Sequence, residues 1–445
     1  MFTINKYEIL VEVLSLLDNL KLNEAGHLQI GGVDSLQLAH EYQTPLIAYD
    51  VGYIKKEIAS FKDAFVKAGV KHRIIYASKA FSAKAIYRLL QQEGVGCDVV
   101  SGGELYAAIK SGMDPEMIEF HGNNKTPAEL EYAIKENIGC IVVDNFYEIE
   151  LIEKICASKN KVAHVVLRVA PGIEAETHKY ISTGQSNSKF GFDLDSGQAQ
   201  EALVQMLRSP WVEIRGVHCH IGSQIFSVAG FKMAAVKMVH LLRDWKEKYD
   251  FEAQILNLGG GFGIKYSEND HPIEPVEFVR AIIQTVQAEI KKSELTLPEI
   301  WVEPGRSLIG EAATTLYTTG SMKKVPELCN FIAVDGGMGD NIRPALYGAK
   351  YTAFLANDPY APTTQVATVV GKYCESGDVL VSDQELPEVK PGDILAMPAT
   401  GAYGYSMASN YNRNGRPAVV FCEDGHAKLV LKRETYADMM NLEVD

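Results

Sequence analysis

A chain of 445 residues is too long for one ordinary core, and its 47% hydrophobic and 22% charged residues are the balance of a soluble globular protein, so two domains are expected. A formal net charge of −14, spread along the chain, argues against nucleic acid or an anionic membrane as a partner. Seven cysteines with no CxxC pair, an N-terminus (Met1-Phe-Thr-Ile-Asn-Lys6) without a signal-peptide pattern, and no apolar run long enough for a transmembrane helix point to a cytoplasmic protein.

Residues 1–43 read as an N-terminal segment, with a helical pattern over 8–20, that packs with a β domain. From Thr44 to Pro304, short apolar runs alternate with amphipathic stretches. The runs are Leu46-Ile-Ala-Tyr, Ile74-Ile-Tyr-Ala, Asp98-Val-Val, Ile118-Glu-Phe, Cys140-Ile-Val-Val, His164-Val-Val-Leu, Ile214-Arg-Gly-Val, Ile255-Leu-Asn-Leu and Ile300-Trp-Val. Strands alternating with helices at this spacing predict a parallel α/β fold. Nine runs are one more than a (β/α)8 barrel needs, so one is peripheral or misread. A doubly wound open sheet fits the alternation almost as well. The barrel, over 44–309, is preferred because the chemically interesting residues follow many different strands, and a barrel gathers those positions at one C-terminal mouth. After Gly310 the runs Thr314-Thr-Leu-Tyr, Asn330-Phe-Ile-Ala-Val, Thr364-Gln-Val-Ala-Thr-Val-Val, Asp393-Ile-Leu-Ala-Met and Ala418-Val-Val-Phe-Cys, separated by Gly, Pro and Asp turns, predict a mostly β domain over 310–445.

Lys79 is the residue that draws most attention. In Arg73-Ile-Ile-Tyr-Ala-Ser-Lys79 a β-branched and aromatic run ends on an amine, which could form a Schiff base if its surroundings lower its pKa and exclude water. Solvated surface lysine is the plainer reading of that motif alone. Leu258-Gly-Gly-Gly261-Phe-Gly263 follows another strand, as a phosphate cradle or a tight βα turn would, and its spacing fails the dinucleotide pattern at Ile264. Glu303-Pro304-Gly305-Arg306 closes the last barrel run and offers a carboxylate that could meet a protonated ring nitrogen or simply pair with Arg306. His220 and Ser223, in His218-Cys-His220-Ile-Gly-Ser223-Gln, offer an imidazole to stack on an aromatic ring and a hydroxyl for a phosphate. A zinc reading of His218-x-His220 lacks further ligands at a recognisable spacing, so no metal is expected.

Taken in order, Tyr76-Ala-Ser-Lys79-Ala, the His218–Gln224 motif, the 258–263 glycine run and Glu303-Pro-Gly-Arg306 resemble the alanine-racemase-fold decarboxylases that use pyridoxal 5′-phosphate. Further motifs are similar to those of the diaminopimelate decarboxylases within that group: His178-Lys-Tyr-Ile-Ser-Thr-Gly184 with Ser188-Lys-Phe-Gly191, Asp335-Gly-Gly-Met-Gly-Asp-Asn-Ile-Arg343-Pro-Ala-Leu-Tyr347-Gly, Cys374-Glu375-Ser-Gly-Asp, and Gly401-Ala-Tyr403-Gly-Tyr. The likeness runs from about Thr44 to Lys432. It departs slightly at Ala349-Lys-Tyr351, which is not expected to touch the chemistry.

The resemblance implies a pyridoxal-binding (β/α)8 barrel plus a C-terminal β domain, and decarboxylation of meso-diaminopimelate to L-lysine, the last step of lysine biosynthesis. It implies that Lys79 holds the cofactor as a Schiff base with His220 against its ring and Glu303 at its ring nitrogen. Ser223, Gly261 and the segment Glu303, Pro304, Gly305 and Arg306 receive the phosphate end, and Tyr403 lines both cofactor and substrate. Cys374 returns the proton. Arg306 and Arg343 take the distal carboxylate, Glu375 the distal ammonium, and Tyr347 adds a hydrogen bond. An ornithine- or lysine-type substrate would leave such arginines unpaired, whereas Arg343 and Glu375 merely neutralising one another is the plainer alternative. The resemblance further implies a homodimer with shared active sites, Cys374 and Glu375 coming from the neighbouring subunit. The sequence alone leaves equally open that the chain's own β domain supplies them.

Overall fold

The protein is described by a computed structural model over residues 21–173, 188–267 and 270–444; the 8–20 helical pattern and the 178–184 motif lie outside them. The described residues form two compact units, one from 57–264 and 272–307, the other from residues up to 56, 265–271 and 308 onward.

The first unit is a closed barrel. Parallel strands His72–Ala77, Gly96–Val99, Ile118–Phe120, Cys140–Val143, Ala163–Ala170, Val212–His218, Ile255–Asn257 and Glu299–Val302 pair in chain order, and the last pairs with the first through Trp301 opposite Arg73. That final pairing removes the open-sheet alternative, which would leave two edges. The strands are short and almost wholly buried, so their sequences are mostly apolar on both faces, as parallel strands wrapped by helices require, with Asp98, Glu119 and Asn257 as polar exceptions. Several helices between them start where side chains satisfy orphan backbone donors. Ser101 accepts from Glu104 N, Asn145 from Glu148 N, and Thr126 forms a capping box with Glu129. Ile75, Cys140, Val166, Ile255 and Trp301 meet as one buried cluster drawn from five strands, an apolar floor inside the barrel.

The second unit is built on a mixed sheet in which Ala313–Val325 is the long central strand. The run at Leu46 belongs here. Leu46–Asp50 pairs antiparallel with Ala313–Val325 and parallel with Ala418–Glu423, so the expected start of the barrel at 44 is corrected: its first strand is His72–Ala77. The misreading has a physical origin, because a buried strand followed directly by the helix Val51–Ala68 has the local pattern of a βα unit whichever sheet it joins. Residues Leu28, Ile30, Val33, Leu38 and Ala39, ahead of that strand, share a core with Leu46, Leu316, Phe354, Ala396 and Val420.

Candidate active site

At the mouth of the barrel, the strand His72–Ala77 runs into a single 3-10 turn, Ser78–Ala80. Ser78 and Ala80 are buried while Lys79 between them is exposed. The turn is pinned from both sides: Ser78 N donates to Asp98 Oδ1 at 2.9 Å, and Tyr76 Oη donates to Phe81 O at 3.0 Å. Asp98, Glu104 and His220 all feel the charge of the Lys79 ammonium, so the amine stands among the residues at the strand ends.

The loops after three successive strands are locked together beside it. Gly261, at φ +102°, lies so close to the loop after Val212–His218 that a Cβ would sit 1.9 Å from Gly222 O, and a Cβ on Gly260 would sit 1.9 Å from Glu303 O. Ile225 N donates to Gly261 O at 3.0 Å, and Arg306 Nη2 donates to Ser223 Oγ at 3.3 Å. Ala77 N donates to Pro304 O at 3.2 Å, tying the Glu303–Arg306 segment to the lysine-bearing strand. A side chain on Gly305 would strike Ala77 Cβ at 2.7 Å. Hydroxyl, guanidinium and glycine backbone thus converge in one small region, a donor set suited to a phosphate.

His220 accepts a hydrogen bond on Nδ1 from Gly260 N at 3.2 Å, which requires that nitrogen to be unprotonated. Burial, with the Lys79 charge adding to it, drives its pKa well below the usual imidazole value, so the ring is neutral.

Below this lies a buried polar layer. Glu303 Oε1 accepts from Asn257 Nδ2 at 2.7 Å, its Oε2 accepts from His218 Nε2 at 3.3 Å, and His121 Nε2 stands 3.2 Å from Oε1 as an ion pair. Asn257 also reaches Glu119 Oε2 at 3.1 Å and takes Gly259 N on its Oδ1 at 2.9 Å. His121 Nε2 lies 3.4 Å from Glu119 Oε2. Burial would push the Glu303 carboxyl up, but His218 and His121 together hold it well below the usual range. His121 is the counter-charge: burial works against its cation, yet Glu303 and Glu119 raise its pKa to about 10. His218 is driven by burial to about 4, so it is a neutral donor. The ligand atoms of His121, His218 and Glu303 lie within 4.8 Å of one another, and a hydrogen bond from His218 and an ion pair with His121 on one carboxylate account for that spacing. Asp98, Glu119 and Glu303 share the layer with a single imidazolium, so it carries more buried acid than base. A ring nitrogen that keeps its proton fits such a place.

The expected site residues therefore divide by unit. Lys79, His220, Ser223, Gly261, Glu303, Pro304, Gly305 and Arg306 lie on the barrel, with Glu303 bonded to histidines and Asn257 rather than to Arg306. Arg343, Tyr347, Cys374, Glu375 and Tyr403 lie on the second unit. There Arg343 is buried, its guanidinium 4.6 Å from the centre of the Tyr266 ring and 5.5 Å from that of Tyr351, whose hydroxyl it also bonds. Among the described residues no carboxylate lies within 4.0 Å of it, so the pairing with Glu375 is not seen. Tyr351, in the segment expected to stand outside the chemistry, supplies a partner of Arg343. Cys374 and Glu375 are exposed, with Cys374 N donating to Asn412 Oδ1 at 2.9 Å. Tyr403 sits at φ +61°, an uncommon backbone for a bulky side chain. Sequence reasoning passed over Asp98, Glu119, His121 and Asn257. The available signal was a charged or amide residue inside each of three apolar barrel runs.

Residues 51–310 match the family model for the pyridoxal binding domain of pyridoxal-dependent decarboxylases. The chain is 55% identical to the diaminopimelate decarboxylase of Bacillus subtilis (strain 168) over 422 residues, covering 95% of this chain and 96% of the relative. It is 52% identical to that of Halalkalibacterium halodurans over 424 residues, 95% of this chain and 97% of the other. Among solved structures it is similar to the diaminopimelate decarboxylase of M. jannaschii in complex with L-lysine, with a TM-score of 0.90, 35% identity, and coverage of 97% and 98% of the two chains.

Proposed function

Because the chain belongs to the diaminopimelate decarboxylases, a family of pyridoxal-dependent carboxy-lyases, we propose that it converts meso-diaminopimelate to L-lysine and CO2 as the last step of lysine biosynthesis, in the cytoplasm. The cofactor is pyridoxal 5′-phosphate. The observation that carries the reading is the acid-rich layer around Glu303 beneath the turn that bears Lys79.

When bound, pyridoxal phosphate supplies an electron sink for the pair left behind as the substrate carboxylate departs. Lys79 is the amine that ties the cofactor to the chain. Glu303 holds a proton at the ring nitrogen, and its ionised state supports that role. His220, neutral, lays its flat face against the ring without adding charge there. Ser223, Gly261 and the Pro304, Gly305 and Arg306 segment grip the phosphate. The Cα–carboxylate bond breaks, CO2 leaves, and the Cys374 thiol delivers a proton to Cα.

At the far end of the substrate, Arg343 and Arg306 receive the distal carboxylate, Glu375 the ammonium, and Tyr347 and Tyr403 add hydrogen bonds. Support for a dicarboxylate comes from Arg343 itself. A buried guanidinium walled by two tyrosines, with no acid partner among the described residues, calls for an anion from the ligand. Cys374 and Glu375 act across a homodimer with shared sites, a role their exposure in the single chain accommodates.

Borohydride reduction of the purified protein followed by peptide mapping tests the cofactor link: a pyridoxyl adduct on Lys79 is expected, lost in Lys79→Ala together with all turnover. An adduct elsewhere, or a fully active Lys79→Ala enzyme, would refute it. Turnover of meso-diaminopimelate but not ornithine, lysine or arginine tests the substrate, and preference for a diamine precursor would overturn that part.

A further inference from the structure

One imidazole in the polar layer has no part in the chemistry above. His121 follows the strand Ile118–Phe120 and is 4% exposed, with its Nε2 between two carboxylates, 3.2 Å from Glu303 and 3.4 Å from Glu119. Its ring packs edge-on to His218 with centroids 5.0 Å apart. Around it stand Glu119 on its own element, Asp98 on the neighbouring strand, Asp144 after the next, His218, and Glu303. Arg168 lies 3.8 Å from Asp144, which answers that acid. His218 is a neutral donor. His121 is therefore the imidazolium in contact with Glu303.

We infer that His121, backed by Glu119, is a positioning residue for the decarboxylation: it aims Glu303 and fixes its charge so that the shared proton stays on the cofactor's ring nitrogen. The inference rests on the proposed function, since it needs the cofactor above Glu303.

Geometry supports aiming. Glu303 Oε1 accepts from Asn257 at 2.7 Å with the His121 Nε2 beside it at 3.2 Å, while Oε2 accepts from His218 at 3.3 Å among the described contacts and keeps capacity for one more. Charge supports the second part. A proton between a carboxylate and a pyridine nitrogen goes to the stronger base. Two further acids near Glu303 raise its basicity, and an adjacent imidazolium lowers it. Without His121, desolvation and the acids would pull the proton onto Glu303, and the ring would lose its positive charge. Glu119 acts twice: as a nearby acid it opposes His121, yet it also accepts the His121 hydrogen bond and keeps that ring protonated. Removing both changes the charge of the layer less than removing His121 alone.

The pair of substitutions makes this testable in the holoenzyme. Cofactor labelled with 15N at the ring nitrogen is loaded into wild type, His121→Gln and Glu119→Gln/His121→Gln, and the 15N shift is read at neutral pH beside kcat. His121→Gln keeps a hydrogen-bond donor but not the charge. Its ring nitrogen should move toward the unprotonated position and kcat should fall about 10- to 100-fold, the usual range for partners that tune a primary group. In the double variant the 15N shift should return toward that of the wild type. A wild-type 15N position in His121→Gln would overturn the inference. So would failure of the double variant to recover it, even if the single variant does not hold cofactor. If borohydride leaves no adduct on Lys79 of the wild type, the proposed function itself has failed; an adduct with an unmoved 15N signal sinks only the role of His121.

Discussion

Arg343→Met separates a guanidinium that serves the ligand from one that serves the fold. In the protein Arg343 is 6% exposed, flanked by Tyr266 and Tyr351, and bonded to the Tyr351 hydroxyl. The losses to stability are a cation–π contact on each ring, about 0.5–2 kcal/mol apiece, and one charge-assisted hydrogen bond, about 1.5–3 kcal/mol. Against them stands the desolvation of a buried cation with no described acid partner, several kcal/mol, which methionine does not incur. These terms are of similar size and opposite sign, so the melting temperature should move by only a few degrees. Substrate is another matter. Losing a two-pronged charged hydrogen bond to the distal carboxylate removes about 3 kcal/mol of binding, and at about 1.4 kcal/mol per decade kcat/KM should fall about 100-fold. The assay is CO2 release from meso-diaminopimelate, set beside thermal unfolding of cofactor-loaded wild type and variant. A variant that melts far earlier while retaining kcat/KM would refute the reasoning, because the guanidinium would then be a structural group.

Cys374→Ala should bind substrate yet stall before release of lysine. Mixing it with Lys79→Ala subunits should restore part of the activity if sites are shared, and no recovery in a demonstrated mixed dimer would count against sharing. In the second unit, burial raises the Asp340 carboxyl to about 7, where it receives Tyr317 Oη and accepts Gly337 N at 2.8 Å. The folded state therefore holds a proton that the unfolded chain releases near 4, and this contribution to stability is lost as pH rises from about 4 to about 7, at no more than about 1.4 kcal/mol per unit. Urea unfolding at pH 5 and pH 7 should show a smaller pH effect in Asp340→Asn than in wild type; an identical difference would show that Asp340 does not titrate as described.

Much of this architecture was legible in the sequence, and the gaps have physical causes. Barrel strands announce themselves because both faces are buried, which leaves runs such as Cys140-Ile-Val-Val without polar alternation. The same property hides which sheet a run joins, and so Leu46–Asp50 passed for a barrel strand. Lys79, His220 and Glu303 stand just past strand ends, in motifs whose glycines and prolines mark a special backbone. Tyr351 was missed for another reason: its bond to Arg343 crosses a helix and a loop that no local pattern links to it.

Glu119 and Asn257 were illegible because they belong to strands, where an acid or amide in an apolar run is ordinarily placed on an outer face. Register decides otherwise. Asp98 pairs opposite Glu119, and His218 opposite Asn257, so neighbouring strands bring their polar residues to matching heights. Against them packs the apolar cluster of Ile75, Cys140, Val166, Ile255 and Trp301, with Cys140 opposite Glu119 and Trp301 opposite Asn257. Such an apolar surrounding strengthens the interactions beside it, since charges in a low-dielectric environment act on each other more strongly than in water. The barrel thus does more than gather strand ends at a mouth. By setting charged residues against an apolar cluster, it places one imidazolium in contact with Glu303, the arrangement that the role proposed for His121 needs.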